Sequence, residues 1–434
     1  MDTYQFNLND YHSIANASIK LPGLTVLAGL NGCGKSTISR WLYGYVHFSN
    51  SFEGLVDNLF ASRLNTKLQH LMDIRRRVQL WSGMADKITR TWFFSSSIEE
   101  CIENIHENTR QLCELIESNW ESNRLKEHSE WIWKALDVDD EDNSIPVSIR
   151  VNLFAASIQH YISEELDKAE KMKLESSTED LIHFIENGMS FEGNGPSDME
   201  FIENGTPLIE NGRFMHPISL KRAIYIDSPM AFSNEPPWGS GTWKDLGILM
   251  STPLKGMPRE ASLIDLDLRY TLGGNIVVKE DKFSKELRYQ RKADGLNISI
   301  NELATGMKSF AYLLRLLQNG YLDNETLLII DEPEAHLHPQ WIFKFAKALV
   351  MIHKYLGVKI MIASHNPDMV AAISAISEAE GLLDHTVFYQ ADRVPGSLQY
   401  EFKYCGNDIS PIFECFNIAL DRIDSYKSSV EDQI

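Results

Sequence analysis

The sequence predicts an α/β fold: a mixed sheet with antiparallel N-terminal strands and a parallel core, interrupted by a helical insertion. Three observations carry this. Two continuous aliphatic runs, LLII at 327–330 and VKIMIASH at 358–365, alternate with helical segments. Such runs read as strands buried on both faces of a parallel sheet. Near the start, a glycine-rich loop at 29–37 separates a strand from a helix. Between these ends, residues 49–182 show apolar residues at helical spacing.

In chain order, YQFNL, SIANASIKL and TVLAG (within 3–28) read as strands, with Pro22-Gly23 as a turn. A helix, ISRWLYGYV, closes a first segment at 1–48. The insertion follows, with stretches such as KLQHLMDIRRRVQLW and CIENIHENTRQLCELIESNW, and is broken by DVDDEDNSIP at 137–146. Its apolar repeat is too irregular for a long coiled coil. A turn-rich connector spans 183–220, where FIENG (184–188), FIENG (201–205) and LIENG (208–212) repeat one phrase. Asn-Gly is a tight-turn signal, so all three copies read as turns or hairpins. Within 221–383, KRAIYIDSP is a buried strand and residues 275–292 alternate like an antiparallel hairpin. SLIDLDLRY, with Asp265 and Asp267, reads as an alternating strand. The helix NELATGMKSFAYLLRLLQNG puts Phe310, Leu313, Leu314 and Leu317 on one face. Pro339 and Gly357 punctuate the helix after LLII, and Pro367 opens the next one. Residues 384–434 form a C-terminal segment.

Bulk properties bound the function. The chain has 434 residues, and a hydrophobic content of 43% supports a sizeable core. No apolar run approaches the ~18 residues a membrane helix needs, and the start, MDTYQFNLND, is unlike a signal peptide. Cysteines 33, 101, 113, 405 and 415 show no CxxC spacing, which fits reduced thiols. A cytoplasmic protein without a membrane partner is expected. The net charge of −20 repels a phosphate backbone on average, so nucleic-acid binding needs a local basic groove or a partner chain. The best basic cluster, Arg75-Arg76-Arg77, reads as a solvated helix face.

The chemistry lies in two places. Gly29-x4-Gly34-Lys35-Ser36 has the spacing and the strand–loop–helix context of a phosphate-binding loop. Its backbone N–H groups wrap phosphates, Lys35 reaches the β- and γ-phosphates, and Ser36 offers a hydroxyl to Mg²⁺. The run LLIIDEPEAHLHPQ, at 327–340, admits two readings. Glu334, His336 and His338 are metal-ligand types. Alternatively, Asp331 and Glu332 sit at a strand tip beside a nucleotide. The glycine loop favours the second, because such a loop needs a strand-end acid for Mg²⁺. Asp331 then holds Mg²⁺ through water, and Glu332 polarises the attacking water. His365 ends the neighbouring strand, where it can reach the γ-phosphate.

Taken together, GLNGCGKST, DEPEAHLHP and ASHNP resemble the ABC-type ATPases that include the Rad50, RecF and overcoming-lysogenisation-defect proteins. The resemblance covers residues ~1–46 and ~221–380 and implies an ABC-type P-loop ATPase head that binds ATP and Mg²⁺. It makes Gly29, Asn31, Gly32, Cys33, Gly34, Lys35, Ser36 and Thr37 the Walker A loop. Asp331 and Glu332 resemble the Walker B aspartate and catalytic glutamate, residues 334–338 the D-loop region, and His365 the switch histidine. Leu303-Ala304-Thr305-Gly306 is similar to the signature that touches the γ-phosphate of an opposite protomer. Ala304 replaces a serine there, and a lost donor costs on the order of 10²-fold in rate. No glutamine can be assigned to a Q-loop; the IYIDSP strand is its neighbourhood. The signature implies a homo-oligomer built from ATP-sandwich dimers.

Among these families, the spacing from Ser36 to Leu303 exceeds a transporter subunit's and falls short of Rad50's arms. The residues after His365 hold no Asp-x-Asp, and no HNH-like histidine cluster exists, so the chain lacks a nuclease site of its own. It resembles the ATPase subunits (PtuA) of Septu anti-phage defence, which implies a partner HNH nuclease (PtuB-like) and contact with DNA through the complex. ATPase subunits such as AriA of the PARIS system fit nearly as well. A RecF-like repair ATPase that clamps DNA directly and a transport ATPase are the competing expectations.

Overall fold

The computed structural model describes residues 3–83, 97–121, 123–138, 145–227, 242–281 and 284–415. Contacts divide the chain into two units, one of Met1–Asn50 and Ser177–Ile434, the other of Ser51–Ser176. The strands are β1 (Tyr4–Tyr11), β2 (Ile14–Lys20), β3 (Leu24–Ala28), β4 (Asp198–Glu203), β5 (Thr206–Pro207), β6 (Ile209–Glu210), β7 (Arg213–Phe214), β8 (Arg222–Ile226), β9 (Asn275–Asp281), β10 (Ser284–Arg291), β11 (Leu296–Ser299), β12 (Thr326–Asp331), β13 (Lys359–Ser364), β14 (Thr386–Arg393) and β15 (Tyr400–Gly406). The helices are α1 (Lys35–Ser82), α2 (Ile98–Asn119), α3 (Asn123–Lys126), α4 (Ser129–Ala135), α5 (Val147–Glu175), α6 (Thr178–Met189), α7 (Thr242–Ser251), α8 (Ser262–Leu272), α9 (Thr305–Gln318), α10 (Pro339–Leu356) and α11 (Pro367–Ala379).

The first unit is organised on a ten-stranded mixed sheet in the order β5-β4-β1-β2-β15-β14-β3-β13-β12-β8. β8, β12, β13, β3 and β14 run parallel to one another, while β1 pairs antiparallel with β2 and β4. This is the expected mixed α/β architecture. Every residue of β3, β12 and β13 is buried, as continuous aliphatic runs require. β1 instead alternates, burying Tyr4, Phe6 and Leu8 on one face. Helices α9, α10 and α11 contribute Phe310, Leu314, Phe345, Leu349, Met369 and Ile373 to the same apolar core as the sheet. The C-terminal segment, which the sequence leaves without elements, supplies β14 and β15, and β14 lies directly beside β3. β9, β10 and β11 form a separate antiparallel sheet, continuing the expected hairpin by one strand.

Helix α1 does not stop where the sequence reading ends it. It continues through Ser82, because Phe52, Val56, Phe60, Leu64, Leu68, Leu71 and Val78 keep an apolar stripe with no proline to break it. In the second unit, α2 buries Ile98, Cys101, Ile105, Leu112 and Ile116. α5 buries Val151, Phe154, Ile158, Ile162 and Ala169. This alternating three- and four-residue spacing makes a short helical seam. In the arginine cluster, Arg76 and Arg77 are exposed on α1, while Arg75 lies half-buried on the flank of the face that buries Leu71, Ile74 and Val78. There Arg75 donates to Gln111, and Arg77 lies over the Trp131 ring at 5.0 Å.

Two expectations are corrected. The first FIENG copy is not a turn but lies inside α6, whereas the second joins β4 to β5 and the third joins β6 to β7. In the latter two, both turn residues have positive φ: Asn204 (52°) with Gly205 (78°), and Asn211 (53°) with Gly212 (74°). Ser177 caps α6, and Leu181, Ile185 and Met189 give it a buried face, so packing overrides the local turn preference. SLIDLDLRY is not a strand either. It forms α8, with Ile264, Asp265, Leu268 and Leu272 buried at helical spacing. Asp265 is paired with Arg269 at 2.8 Å and accepts from Gln318 at 2.9 Å, a structural engagement. No helix among the described residues is long and apolar enough to cross a membrane.

Candidate functional site

Parallel register brings three strand ends to one edge of the sheet. Ala28 of β3 pairs with Ser364 of β13, and Ala363 pairs with Asp331 of β12. Ligands of such sheets bind beyond these carboxyl ends. From Ala28 the chain turns through the glycine loop and enters α1 at Lys35, with Ile38 N donating to Gly34 O at 3.0 Å. Gly34 has φ of +99°, and a Cβ there would come within 2.7 Å of Ile14 and 2.9 Å of Ser13 Oγ. At Gly29 a Cβ would lie 2.7 Å from Ala391 of β14. The loop is therefore held tightly between the β1–β2 turn and β14.

The buried Lys35 donates from Nζ to Gly29 O at 2.8 Å and Leu30 O at 2.9 Å. A cavity of about 190 Å³ is lined by Ser13, Asn31, Gly32, Gly34, Lys35, Ser36, Thr37 and Glu332. It joins the amino-terminal glycine loop to Glu332 of the carboxyl third. Cys33 is fully buried behind the loop.

Asp331 is buried. Its Oδ2 accepts from Tyr225 Oη at 2.7 Å, whereas Oδ1 meets no hydrogen-bond partner among the described residues. Burial pushes its carboxyl up to about 6, opposed by the hydroxyls of Ser39, Tyr225 and Ser36 and helped by the charge of Asp227. A buried carboxylate oxygen without a partner, near the Ser36 hydroxyl, is the hard-oxygen donor set that Mg²⁺ takes together with phosphates and water. The residues present fit that ion. Among the described residues no group of three or more His, Cys, Asp or Glu forms an all-protein metal cage.

Glu332 follows in the left-handed region, φ 48°, an uncommon backbone for a side chain of this size. Its N–H donates to Ala363 O at 2.8 Å, which fixes the turn against β13. The carboxylate is half-exposed, and its Oε1 lies 3.4 Å from His365 Nδ1. Glu334 turns inward instead. Its Oε1 accepts from Ser364 Oγ at 2.8 Å and from His365 N at 3.0 Å. His338 caps α10, its Nδ1 accepting from Gln340 N at 3.3 Å. Glu334 and His338 are thus engaged separately, and the Glu334–His336–His338 metal reading is not assembled.

Ala304 precedes α9 and makes no side-chain cap bond; Thr305 and Gly306 open the helix. A Cβ on Gly306 would lie 2.8 Å from His336 O, so this helix start packs on the loop that carries Glu334. Residues 304–306 do not line the cavity of the same chain. Sequence reasoning missed Tyr225, Ser39, Ser364 and Ser13. Tyr225 carried one signal, a hydroxyl inside the otherwise apolar stretch AIYI of a buried strand. The others are ordinary serines whose roles come only from the register of distant strands. The Q-loop neighbourhood from residue 228 onward lies outside the described residues.

Comparison with known proteins agrees with this geometry. Residues 217–371 match the family described as "AAA domain, putative AbiEii toxin, Type IV TA system". The energy-coupling factor transporter ATP-binding protein EcfA3 of Clostridium perfringens is 34% identical over 97 residues, which is 22% of this chain and 34% of the relative. EcfA2 of the same species is 35% identical over the same length. The chain spans about a third of the length of the curated relatives it matches. Among solved structures, an SMC head domain from Thermotoga maritima aligns with 93% of this chain and 99% of that one, at 10% identity and a TM-score of 0.35. An SMC head bound to the C-terminal winged-helix domain of ScpA aligns with 93% and 97%, at 10% identity and a TM-score of 0.38. At scores this low, the fold rests on the sheet order itself. The matched stretch contains the strand ends of β8, β12 and β13, so this part of the chain is similar to an AAA domain, and the glycine loop stands on the same edge of the sheet.

Proposed function

We propose that the chain is the ATPase subunit of an anti-phage defence complex, in which ATP and Mg²⁺ shape a scaffold that regulates a partner HNH nuclease. The observation that carries the ATPase part is the cavity joining Gly32–Thr37 to Glu332. Lys35 would bind the β- and γ-phosphates, and Ser36 with Asp331 would hold Mg²⁺, which when bound supplies charge neutralisation to the phosphates. Glu332 takes a proton from the attacking water, and His365 steadies the γ-phosphate oxygens. Ala304, Thr305 and Gly306 complete the site of a second protomer, since they stand outside the cavity of their own chain. ATP then favours one assembly state by its differential affinity. Support for the defence role is the resemblance of the motifs to Septu ATPases and the toxin named in the description of the matched family.

Co-expression of the chain with its neighbouring reading frames tests this. One of them co-purifies and shows nuclease activity that responds to ATP, and the response disappears with Lys35→Ala. A chain that purifies alone and binds duplex DNA by itself, with steep salt dependence, is a repair ATPase instead.

A further inference from the structure

Glu334 has no task in the chemistry above, yet it is among the most deeply held acids of the described residues. Its side chain is 3% exposed, and it sits on the loop that carries Glu332. One oxygen, Oε1, accepts from both Ser364 Oγ and His365 N at the end of β13, the strand beside the glycine-loop strand. The same Oε1 lies 3.5 Å from His365 Nδ1 and Glu332 Oε1 3.4 Å from it, within ion-pairing reach though neither makes a hydrogen bond to that nitrogen in the structure. Its other oxygen, Oε2, has no hydrogen-bond partner among the described residues. Keeping a carboxyl there is costly, and burial raises its proton affinity. An apolar or amide side chain would fill the space more cheaply, so the charge itself needs a reason.

We propose that Glu334 is a positioning residue: its carboxylate holds the main chain and ring of His365 so that Nδ1 carries a hydrogen toward the two acids and Nε2 faces outward, where it donates to a phosphate oxygen once a second proton sits on it. Two carboxylates facing one ring nitrogen favour the tautomer with hydrogen on that nitrogen. Glu334 also ties the Glu332 loop to β13, so acid and imidazole move as one body. The phosphate role of Nε2 rests on the ATPase reading; the tautomer and ring position do not.

The test is nitrogen-15 histidine NMR on the full chain without nucleotide, at a pH well above the histidine range, with the His365 signals assigned by their loss in His365→Gln. In the parent the ring carries hydrogen on Nδ1. Glu334→Gln keeps the shape and an acceptor but removes the charge, and moves the ring toward the Nε2–H form. An unchanged His365 spectrum in Glu334→Gln overturns the inference. Should Glu334→Gln fail to fold by circular dichroism, Glu334→Asp keeps the charge but withdraws it by one methylene. A partial shift is then expected, and none contradicts the proposal. Nucleotide assays run in parallel: ATP affinity stays within about twofold in Glu334→Gln, while single-turnover hydrolysis falls by about tenfold or more. Equal hydrolysis by parent and Glu334→Gln overturns the phosphate-facing part. If the parent binds no ATP, the ATPase reading fails, and the ring spectrum still decides this one.

Discussion

The helical unit and the carboxyl edge of the sheet treat buried acids in opposite ways. In the helical unit, Glu165 is buried with both oxygens engaged, by Lys168 at 2.8 Å and Arg63 at 3.5 Å. At the end of β12, buried Asp331 and Glu334 each keep one oxygen without a hydrogen-bond partner among the described residues. Elsewhere in the sheet unit, Glu203 accepts from two backbone N–H groups at 2.7 and 2.9 Å, and Asp265 is satisfied by Arg269 and Gln318. Folding alone is served by the satisfied kind. Among the described residues, buried carboxylate oxygens without a partner are confined to two residues three positions apart, beside the glycine loop. On the proposed reading, that is where stability is given up for ligand chemistry.

The contrast can be broken from its strong end. Lys35→Ala removes the cation at the mouth of the loop and weakens ATP binding by about 100-fold or more, roughly 3 kcal/mol, measured by calorimetric titration. Glu332→Gln leaves affinity in place, lowers single-turnover hydrolysis by about 100-fold, and accumulates the ATP-bound dimer on gel filtration. Hydrolysis at the parental rate would remove Glu332 from its role.

Asp331→Asn sharpens the same contrast through stability. The folded-state carboxyl is held at about 6, above its ordinary 3.8, so the ionised form is disfavoured in the fold. The penalty is absent below the ordinary value, grows as pH rises through about 6, and is fully present above it. At pH 7.5 the nucleotide-free Asp331→Asn variant is therefore more stable than the parent, by up to about 3 kcal/mol, and the gain vanishes near pH 4. Chemical denaturation at the two pH values reads this directly. The smallest effect falls in the helical unit. Glu165→Gln costs about 1 kcal/mol or less, because Arg63 and Lys168 are half-exposed and solvent screens the pairs. It leaves ATP affinity unchanged; a loss of affinity there would tie the insertion to the nucleotide site.

Much of the site was legible because its signals are local. The glycine loop needs two close-packed glycines and a following helix, and LLII-Asp331 announces a buried strand with an acid at its tip. What sequence could not show depends on register. Tyr225 reaches Asp331 only because β8 pairs in parallel with β12, and Ser364 reaches Glu334 only because β13 ends level with Asp331. Identical phrases also met different fates. Asn204-Gly205 and Asn211-Gly212 turn hairpins, whereas Asn187-Gly188 stays helical, with Gly188 packed so closely on Phe48 that a Cβ would collide with the ring. SLIDLDLRY misled in the same manner, since its alternation of leucine and aspartate is compatible with a strand until Ile264, Leu268 and Leu272 find the core.

The central claim is that a magnesium nucleotide is held between the glycine loop and the end of β12. Titrating ATP into the parent and Asp331→Asn, each with Mg²⁺ and with EDTA, tests it most directly. The parent is expected to bind at least about tenfold more tightly with Mg²⁺, and Asp331→Asn to lose that difference. Equal affinities in all four titrations, or a magnesium effect that survives in Asp331→Asn, would contradict the account.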